Sequence, residues 1–382
     1  MANFTSNTYT LKRKILTFTA KFSKGLSKPK RKFLADITYG MLAAGSCILT
    51  DVVDQLHENS KKVNTVERLC RHLALGIPLS SLKSYLKWVR KTVPDEPIVL
   101  VDDTDIVKPN GYEFEALGDV RDGSESNSNK SVYRKGYHVT EAIALTKKGN
   151  SISIFSKIHS SYEKGYSSTN TITFDAIKRA AKLFGKAFFV MDRGYDINKI
   201  FLMLEELKQN YVIRITRGRK LFFHNKWISA SELCKRRKGK IKTSVFYDNK
   251  EHTAYLSHVK VKIIASQKNV NLVLVYVVGK HPRMLVTNKD IYSKDDVISI
   301  ANTYYSRWRI EEYFRCKKQM FKFEHFRVRK LEAINALNFY ITIAMAFLAV
   351  IAEQNEMNAL KVAIIKRGQT LSKQKFFSPF IA

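Results

Sequence analysis

The sequence predicts an α/β fold built on a mixed β-sheet, with an N-terminal helical region and a second, β-rich segment. Apolar runs at 98–101 and 187–191 each end in acidic residues, a pattern typical of buried strands. Two further strand patterns lie between them, joined by a turn at 147–150. An amphipathic pattern over 173–185 predicts a helix that ends at Gly185. The order strand, strand, strand, helix, strand indicates a mixed sheet with helices packed on it.

The N-terminal region is predicted to be helical and to contact DNA. Residues 1–32 are basic and interrupted, which fits either a solvated tail or an arm that contacts DNA. Residues 33–91 follow with short helical patterns separated by small-residue turns, typical of a compact helical DNA-binding unit. We therefore assign residues 1–93 to a basic arm and a helical DNA-binding region.

The rest of the chain divides into three predicted segments. Residues 94–220 form the first part of the α/β core, which begins after a proline-rich turn. Residues 221–288 contain short strand patterns and a basic run, and we interpret them as a β-rich insertion. Residues 289–382 complete the core with a late helix, for which Ser293 or an adjacent acidic residue is the expected N-cap, and with C-terminal helices.

The charge of the chain indicates a polyanionic partner. Its 382 residues contain 66 lysines and arginines against 34 acidic residues, a net charge of +32. A charge of this size repels itself unless a polyanion neutralises it, so nucleic acid is the first candidate and an acidic membrane surface the second. Hydrophobic residues make up 45% of the chain, enough for a folded core, which excludes a disordered tail.

The cysteines and the one long apolar segment indicate in which compartment the protein is expected to lie. Four cysteines without C-x-x-C spacing make a disulfide framework or a structural zinc site unexpected, and a reducing cytoplasm fits them. The apolar stretch 336–352 is 17 residues long, at the short limit for a membrane span, and it contains Asn338 and Thr342. We interpret it as a buried helix packed under the functional site.

The stretch YYSRWRIEEYFRCKK carries the strongest local pattern. Its residues Tyr304, Arg307, Glu311 and Lys318 are separated by three, four and seven positions, so on one continuous helix they would share a face. A carboxylate beside two cations and a phenol suits a phosphate and metal site. The same pattern also fits an ordinary surface helix stabilised by ion pairs.

Three carboxylates are candidates for a metal site. Asp102 or Asp103 ends the first predicted strand, Asp192 ends the fourth, and Glu311 lies on the late helix. If the two strands are neighbours, their acids converge at one edge of the sheet. Carboxylate oxygens are the ligands of hard cations such as Mg²⁺, and paired ions of this kind promote phosphodiester cleavage and strand transfer.

These residues together resemble the DDE transposases of bacterial insertion sequences. The segments IVLVDDT and VMDRGYD precede a helix that matches the signature Y-x-x-R-x-x-x-E-x6-K of the insertion-sequence-four family at every step. The resemblance spans about 97–347. It implies an RNase H-like mixed-sheet catalytic core with a β-rich insertion domain. It also implies cut-and-paste transposition with Mg²⁺, for which Mn²⁺ can substitute, by nicking, hairpin formation and opening, and strand transfer.

The resemblance also assigns roles to single residues. Asp102, Asp192 and Glu311 would be the catalytic metal ligands, while Tyr304, Arg307 and Lys318 would hold phosphates of the terminal nucleotides. The family places its first aspartate two residues before a Thr or Ser, which selects Asp102 through Thr104 and leaves Asp103 as the alternative. Asp105 is expected to be a turn residue.

Partners and location follow from the same resemblance. It implies that the protein acts on double-stranded DNA, both transposon ends and target, as a homodimer on paired ends. It implies no membrane partner and a location in the bacterial cytoplasm, at the nucleoid. From the residues themselves, the exit of the strand at 210–214 is basic, and we expect it to contact the DNA backbone through Arg214, Arg217 and Arg219.

Other functions remain compatible with the sequence. A nuclease on the same core would cut DNA without joining it and would use the same acids. A domesticated, catalytically silent DNA-binding protein would be expected to have lost part of the acidic triad or of the helix signature, and both are intact. A membrane-associated protein would leave the signature unexplained.

Overall fold

The computed structural model describes residues 2–122, 125, 130–247, 250–265, 268–277 and 281–353. The expected C-terminal helices beyond 353 lie outside these residues. The helices within them are α1 (Ala2–Ala20), α2 (Lys28–Ala44), α3 (Leu49–Asp54), α4 (Lys62–Ala74), α5 (Leu79–Thr92), α6 (Thr169–Phe184), α7 (Asn198–Glu206), α8 (Ala230–Lys235), α9 (Lys294–Tyr305), α10 (Trp308–Met320) and α11 (Leu331–Glu353). The strands are β1 (Ile98–Val107), β2 (Gly118–Arg121), β3 (Tyr133–Leu145), β4 (Ser151–His159), β5 (Phe188–Met191), β6 (Asn210–Arg214), β7 (Lys220–Phe223), β8 (Lys226–Ser229), β9 (Ile241–Tyr247), β10 (Lys250–Val261), β11 (Val270–Val277) and β12 (Arg283–Thr287).

One large mixed sheet organises the described part of the chain. Its strand order is β2-β3-β1-β5-β6-β12-β11-β10-β9. β4 also pairs with β3, over His138–Leu145, beyond the residues of β3 that pair with β2. The pairs β1–β5 and β5–β6 are parallel, and the other pairs are antiparallel. The predicted mixed α/β class is confirmed, and it is consistent with the RNase H-like core that the resemblance implies.

The first and fourth predicted strands are neighbours in this sheet. β1 and β5 run parallel from Ile98 beside Phe188 to Val101 beside Met191. The residue that follows each of these paired segments is an aspartate, Asp102 after Val101 and Asp192 after Met191. The two acids therefore lie side by side. β1 itself does not end there, because it continues to Val107 opposite β3. The expectation that Asp105 is a turn residue is therefore wrong.

The segment 221–288 is rich in strands, as expected, and most of them extend the central sheet. β12 pairs with β6 antiparallel, with Val286 opposite Ile213, and β11, β10 and β9 follow outward. Only β7 and β8 form a separate two-stranded sheet in the described residues. The β-rich segment is thus joined to the core through backbone hydrogen bonds.

The basic N-terminus is a helix packed on the protein and not a solvated tail. Ile15, Phe18 and Phe22 on and just beyond α1 are buried. The Phe18 ring lies 5.5 Å from the Phe347 ring on α11, and the Phe22 ring lies 5.5 Å from the Tyr85 ring on α5. Apolar residues at helical spacing produce this packing despite the surrounding lysines. DNA contact by the region remains a prediction.

The apolar stretch forms the last described helix, α11. By length and composition alone this helix could cross a membrane, but 83% of its most apolar stretch is buried inside the protein. It packs on β4, α2 and α4, and Asn338 on its buried side donates to Ser156 Oγ at 2.7 Å. This is the placement expected of a core helix.

The predicted late helix is two helices, α9 and α10. Ser293 caps α9 in a capping box with Asp296, as its sequence indicates. The ladder then tightens at 306–310: the Arg307 amide donates to the Tyr304 carbonyl and the Ile310 amide to the Arg307 carbonyl. These are i to i+3 bonds of the 3₁₀ type, which interrupt the α-helix. The prediction that Tyr304, Arg307, Glu311 and Lys318 share one continuous helix is therefore wrong.

Candidate active site

Asp102 lies on the face of the sheet that α10 covers. Its Oδ2 accepts a hydrogen bond from Arg307 Nη1 at 3.0 Å, and its side chain is 22% exposed. Burial raises the pKa of Asp102 to about 7, and the Arg307 guanidinium counteracts that rise only in part. A carboxylate with so high a pKa carries a charge that the surrounding protein does not fully neutralise.

Asp192 is neutralised more completely. Its Oδ1 accepts from the Tyr304 hydroxyl at 3.0 Å, and Arg214 Nη1 lies 3.5 Å away. Burial acts to raise the pKa of Asp192. The Arg307 guanidinium and hydrogen bonds from the Arg193 amide and from Tyr304 outweigh burial and hold that pKa below its usual value.

Arg307 links Glu311 to Asp102. Its Nη1 contacts Asp102 and its Nη2 donates to Glu311 Oε1, so one guanidinium serves two carboxylates. The Glu311 side chain is 55% exposed, compared with 18% for Arg307. Together with the hydrogen bond from Tyr304 to Asp192, these contacts bring five residues predicted from the sequence into one region: Asp102, Asp192, Tyr304, Arg307 and Glu311.

The donor set suits a hard divalent cation, but the side chains are not gathered around one. Among the described residues, no group of three or more His, Cys, Asp or Glu side chains is close enough to hold a metal ion. Asp102 and Asp192 nevertheless offer carboxylate oxygens side by side, each directly after the last paired residues of β1 and β5, and the raised pKa of Asp102 indicates a site that favours added positive charge. Glu311 would complete the set once Arg307 releases it.

Lys318, at the end of α10, is engaged within the protein. Its Nζ donates to the Asp105 carbonyl at 2.7 Å and lies 3.0 Å from Glu324 Oε1. It also lines a cleft of about 1370 Å³ that adjoins the site. Arginines at positions 121, 327 and 329 line the same cleft, together with acidic side chains such as Asp122 and Glu324, so its wall carries charges of both signs.

Three arginines, one at the end of β6 and two just after it, have different environments. Arg214 reaches Asp192, and Arg217 is exposed. Arg219 is turned inward: its side chain is 10% exposed, Nη2 lies 2.7 Å from Asp196 Oδ1, and Nη1 donates to Asn198 at 2.6 Å. Arg219 therefore stabilises the turn after Asp192, which leaves Arg214 and Arg217 for contact with a ligand.

Asp103 points to the opposite face of β1, as alternation along a strand requires. Its Oδ1 accepts from Thr140 Oγ1 at 2.5 Å and its Oδ2 from the Tyr195 hydroxyl at 2.8 Å. Two positions on, Asp105 Oδ1 lies 2.6 Å from His138 Nδ1. These carboxylates already have partners on neighbouring strands and on the turn after β5.

Several of these residues could not be identified from sequence patterns. The register of β3 places Thr140 and His138 beside Asp103 and Asp105, and the turn after β5 places Tyr195 beside Asp103. No local sequence pattern reveals this placement. Glu141 was visible as an acid within the apolar run of β3, a signal that it needs a buried partner. That partner is Lys317.

Comparison with known proteins identifies the family. The family model of the transposase DDE domain matches residues 93–347, which include β1, β5 and α10. A search of curated proteins found no match to the chain. The matched region covers more than half of the sequence and contains Asp102, Asp192 and Glu311. The chain therefore belongs to the DDE transposase family.

Proposed function

We propose that this transposase carries out metal-dependent cut-and-paste transposition of a bacterial insertion sequence of the insertion-sequence-four family. The observation that carries the proposal is the cluster at the point where the parallel pairing of β1 with β5 ends. Asp102 and Asp192 leave adjacent parallel strands, and Arg307 joins Asp102 to Glu311. Three acids, a guanidinium and a phenol at one sheet edge suit hydrolysis and transfer of phosphodiesters.

In this proposal Asp102, Asp192 and Glu311 hold Mg²⁺, and Mn²⁺ can replace it. When bound, the metal supplies Lewis-acid chemistry that activates the attacking oxygen and stabilises the leaving oxygen. Arg307 occupies the carboxylates in the absence of DNA and turns to a phosphate when the substrate binds. Tyr304 keeps Asp192 oriented through its hydrogen bond.

The basic side chains hold the DNA. Arg307 offers a planar fork for a phosphate, and Lys318 offers a point charge at the entrance of the adjoining cleft. Arg214 and Arg217 extend this surface beyond β6. The net charge of +32 supplies the attraction, so binding of double-stranded DNA weakens steeply with salt.

The steps and the assembly belong to the same proposal. Water nicks one strand, the freed 3′-hydroxyl attacks the opposite strand to give a hairpin, the hairpin is reopened, and the end joins target DNA. One site serves all these steps because each is an in-line displacement at phosphorus. The protein acts as a homodimer on paired ends, at the nucleoid of a bacterial cytoplasm, with residues 1–93 contributing DNA contacts.

Cleavage of duplex DNA carrying the sequences that flank the gene tests the proposal. Wild type and Asp192→Asn are compared with Mg²⁺ or Mn²⁺, and products are resolved on denaturing gels, where a hairpin end runs at double the single-strand length. Asp95→Asn is the matched control, because Asp95 is 94% exposed and lies outside the site.

The proposal predicts metal-dependent nicks at the element boundary in wild type and Asp95→Asn but not in Asp192→Asn. Cutting without hairpins or joined products would identify a nuclease. Specific end binding without any cleavage would identify a catalytically silent DNA-binding protein, and either result would overturn the proposal.

A further inference from the structure

A fully buried ion pair lies beneath the site, between α10 and the sheet. Lys317 Nζ lies 2.9 Å from Glu141 Oε2, and their side chains are 1% and 0% exposed. None of the proposed catalytic steps uses either residue. Isolated buried charges are strongly unfavourable, so such a pair persists only when its hydrogen bonds are satisfied.

The sheet is shaped to satisfy Glu141. The pairing of β3 with β4 shifts between Ala142 and Ile143, which leaves Ile154 without a partner. The resulting bulge turns two serines toward the same carboxylate: Ser153 donates to Oε1, and Ser156 donates to Oε2 at 2.7 Å. Regular alternation could not aim residues 153 and 156 at one point, because they would lie on opposite faces.

The lysine is enclosed in the same way. Its Nζ also contacts Ser156 Oγ at 3.2 Å and lies 4.8 Å from the centre of the Phe323 ring. Ser156 in turn accepts from Asn338 on α11 at 2.7 Å. The pair thus joins α10 to β3, β4 and α11 through directional contacts.

Its place in the register connects the pair to the carboxylates. Glu141 lies opposite Asp102 in the β1–β3 pairing, so both side chains are on the face that α10 covers. Arg307, at the start of α10, contacts Asp102, and Lys317, in its last turn, contacts Glu141. The helix is therefore held at both ends by adjacent residues of neighbouring strands, and Lys317 directly precedes Lys318.

The two attachments differ in what can loosen them. Arg307 is at the site itself and must exchange carboxylates for a phosphate in the proposed function. Apolar contacts along α10 resist separation from the sheet but have little directional preference, so they allow small shifts along the helix axis. A charge pair with satisfied hydrogen bonds fixes both rotation and translation.

We propose that the buried Lys317–Glu141 pair is a positioning device that fixes α10 on the sheet, so that Arg307, Glu311 and Lys318 stay aligned with Asp102 and Asp192 while Arg307 changes partners. This inference rests on the proposed function for its catalytic consequence. Its structural part, the control of α10 by the pair, can be tested without any activity.

The test compares three variants with wild type. Lys317→Met leaves the Glu141 carboxylate buried and unpaired, so we expect a fall in Tm of several degrees. Lys317→Met/Glu141→Gln removes both charges and keeps an amide for the serines, and it should regain most of that Tm. Glu141→Asp keeps both charges but shortens the acidic side chain by one methylene. It therefore tests the positioning of α10 even if the uncharged variants fold poorly.

Two readouts separate positioning from stability. In the double variant and in Glu141→Asp we expect kcat for DNA nicking to fall about 10²-fold, as for a small misplacement of reacting groups, with Kd for DNA unchanged. Hydrogen exchange of the α10 amides should rise in both. Leu274→Ala is the control, because it removes buried volume from β11, whose main packing partners are β10, β12 and α9 and not α10, and it should lower Tm.

The outcomes are distinct. Wild-type nicking by the double variant at restored Tm, or α10 exchange as slow as in wild type, would overturn the inference. Faster α10 exchange in Leu274→Ala as well would mean that exchange follows global stability, and that too would overturn it. If wild type cleaves no DNA, the proposed function fails, and the exchange measurements alone decide whether the pair controls α10.

Discussion

The two faces of β1 carry neighbouring aspartates in opposite situations. On one face, Asp103 is surrounded by fixed neutral donors, Thr140 from β3 and Tyr195 from the turn after β5. On the other face, Asp102 depends on one long side chain, Arg307, which it shares with Glu311. Two neutral donors used by one carboxylate satisfy it as part of the structure. A single cation shared by two carboxylates neutralises each of them only in part, so Asp102 can accept another cation.

This contrast explains how one strand can hold acids with different roles. Strand alternation sends adjacent residues to opposite faces, so the partners of Asp102 and Asp103 come from different elements. Asp102 faces α10, and Asp103 faces the turn and His138. On this comparison, Asp102 is the better candidate for the first metal ligand.

The largest expected effect is on the rate of DNA nicking, which should differ between substitutions of Asp102 and of Asp103. Asp102→Asn should reduce metal-dependent nicking by about 10³-fold, because it removes a proposed ligand of the catalytic cation. Asp103→Asn should keep nicking within about tenfold of wild type, since an amide can replace one acceptor at a position that only supports the site. Single-turnover cleavage of end-containing duplex measures both, and the reverse order of effects would identify Asp103 as the ligand.

The next effect concerns stability and its dependence on pH. Burial raises the pKa of Asp102 to about 7, above the unfolded value of about 3.9, so the folded protein binds that proton more tightly. Ionisation of this carboxylate therefore destabilises the fold. The cost in free energy is absent below about pH 4, grows as the pH rises, and is complete above about pH 7.

Thermal unfolding in EDTA checks this consequence. Asp102→Asn should unfold at a higher temperature than wild type at pH 8, with a gain of at most about 4 kcal/mol, and should match wild type at pH 4. Asp95→Asn, at an exposed site, should show no such pH-dependent gain. Loss of stability in Asp102→Asn at pH 8 would show that the Arg307 contact outweighs burial.

A smaller effect compares two buried tyrosines, each donating to a carboxylate on a different face. Tyr304→Phe removes the hydrogen bond to Asp192 and should lower the nicking rate about tenfold, with a loss of about 1 kcal/mol in the free energy of unfolding. Tyr195→Phe removes a hydrogen bond to Asp103 and should lower the free energy of unfolding by about 1 kcal/mol, with nearly normal nicking. Equal effects of the two substitutions on nicking would remove the distinction between the faces.

The smallest effect extends the comparison to the arginines after β6. Arg217 is exposed, whereas Arg219 is paired with Asp196. Arg217→Gln should reduce the slope of log Kd against log salt by about 1, as expected for one lost phosphate contact. Arg219→Gln should leave that slope unchanged and lower Tm. A change of slope for Arg219 alone would reverse the assignment.

The sequence predicted the site better than the helix that carries it. Patterns in β1 and β5 indicated adjacent strands with converging acids, and the spacing of Tyr304, Arg307 and Glu311 indicated a common face. The interruption at 306–310 has no glycine or proline to mark it, and Arg307 keeps helical dihedral angles there (φ −55°, ψ −30°). Only the hydrogen-bond pattern changes, which residue types do not encode strongly.

Other features depend on pairing that a single sequence does not reveal. The partners of Asp103 and Asp105 come from the β3 register, and the partner of Glu141 comes from a helix 176 residues later. The joining of the β-rich segment to the core through β12 and β6 also depends on tertiary pairing. Local patterns predict elements, whereas contacts distant in sequence are decided by packing of the whole fold.

The most direct test of the account is Mn²⁺ binding to the protein on end-containing DNA, followed by electron paramagnetic resonance in wild type, Asp102→Asn and Asp103→Asn. We expect bound Mn²⁺ to be lost in Asp102→Asn and retained in Asp103→Asn, because Asp102, and not Asp103, shares its face with Arg307 and Glu311. Retention of Mn²⁺ in Asp102→Asn together with its loss in Asp103→Asn would contradict the assignment of the metal site to the α10 face of β1.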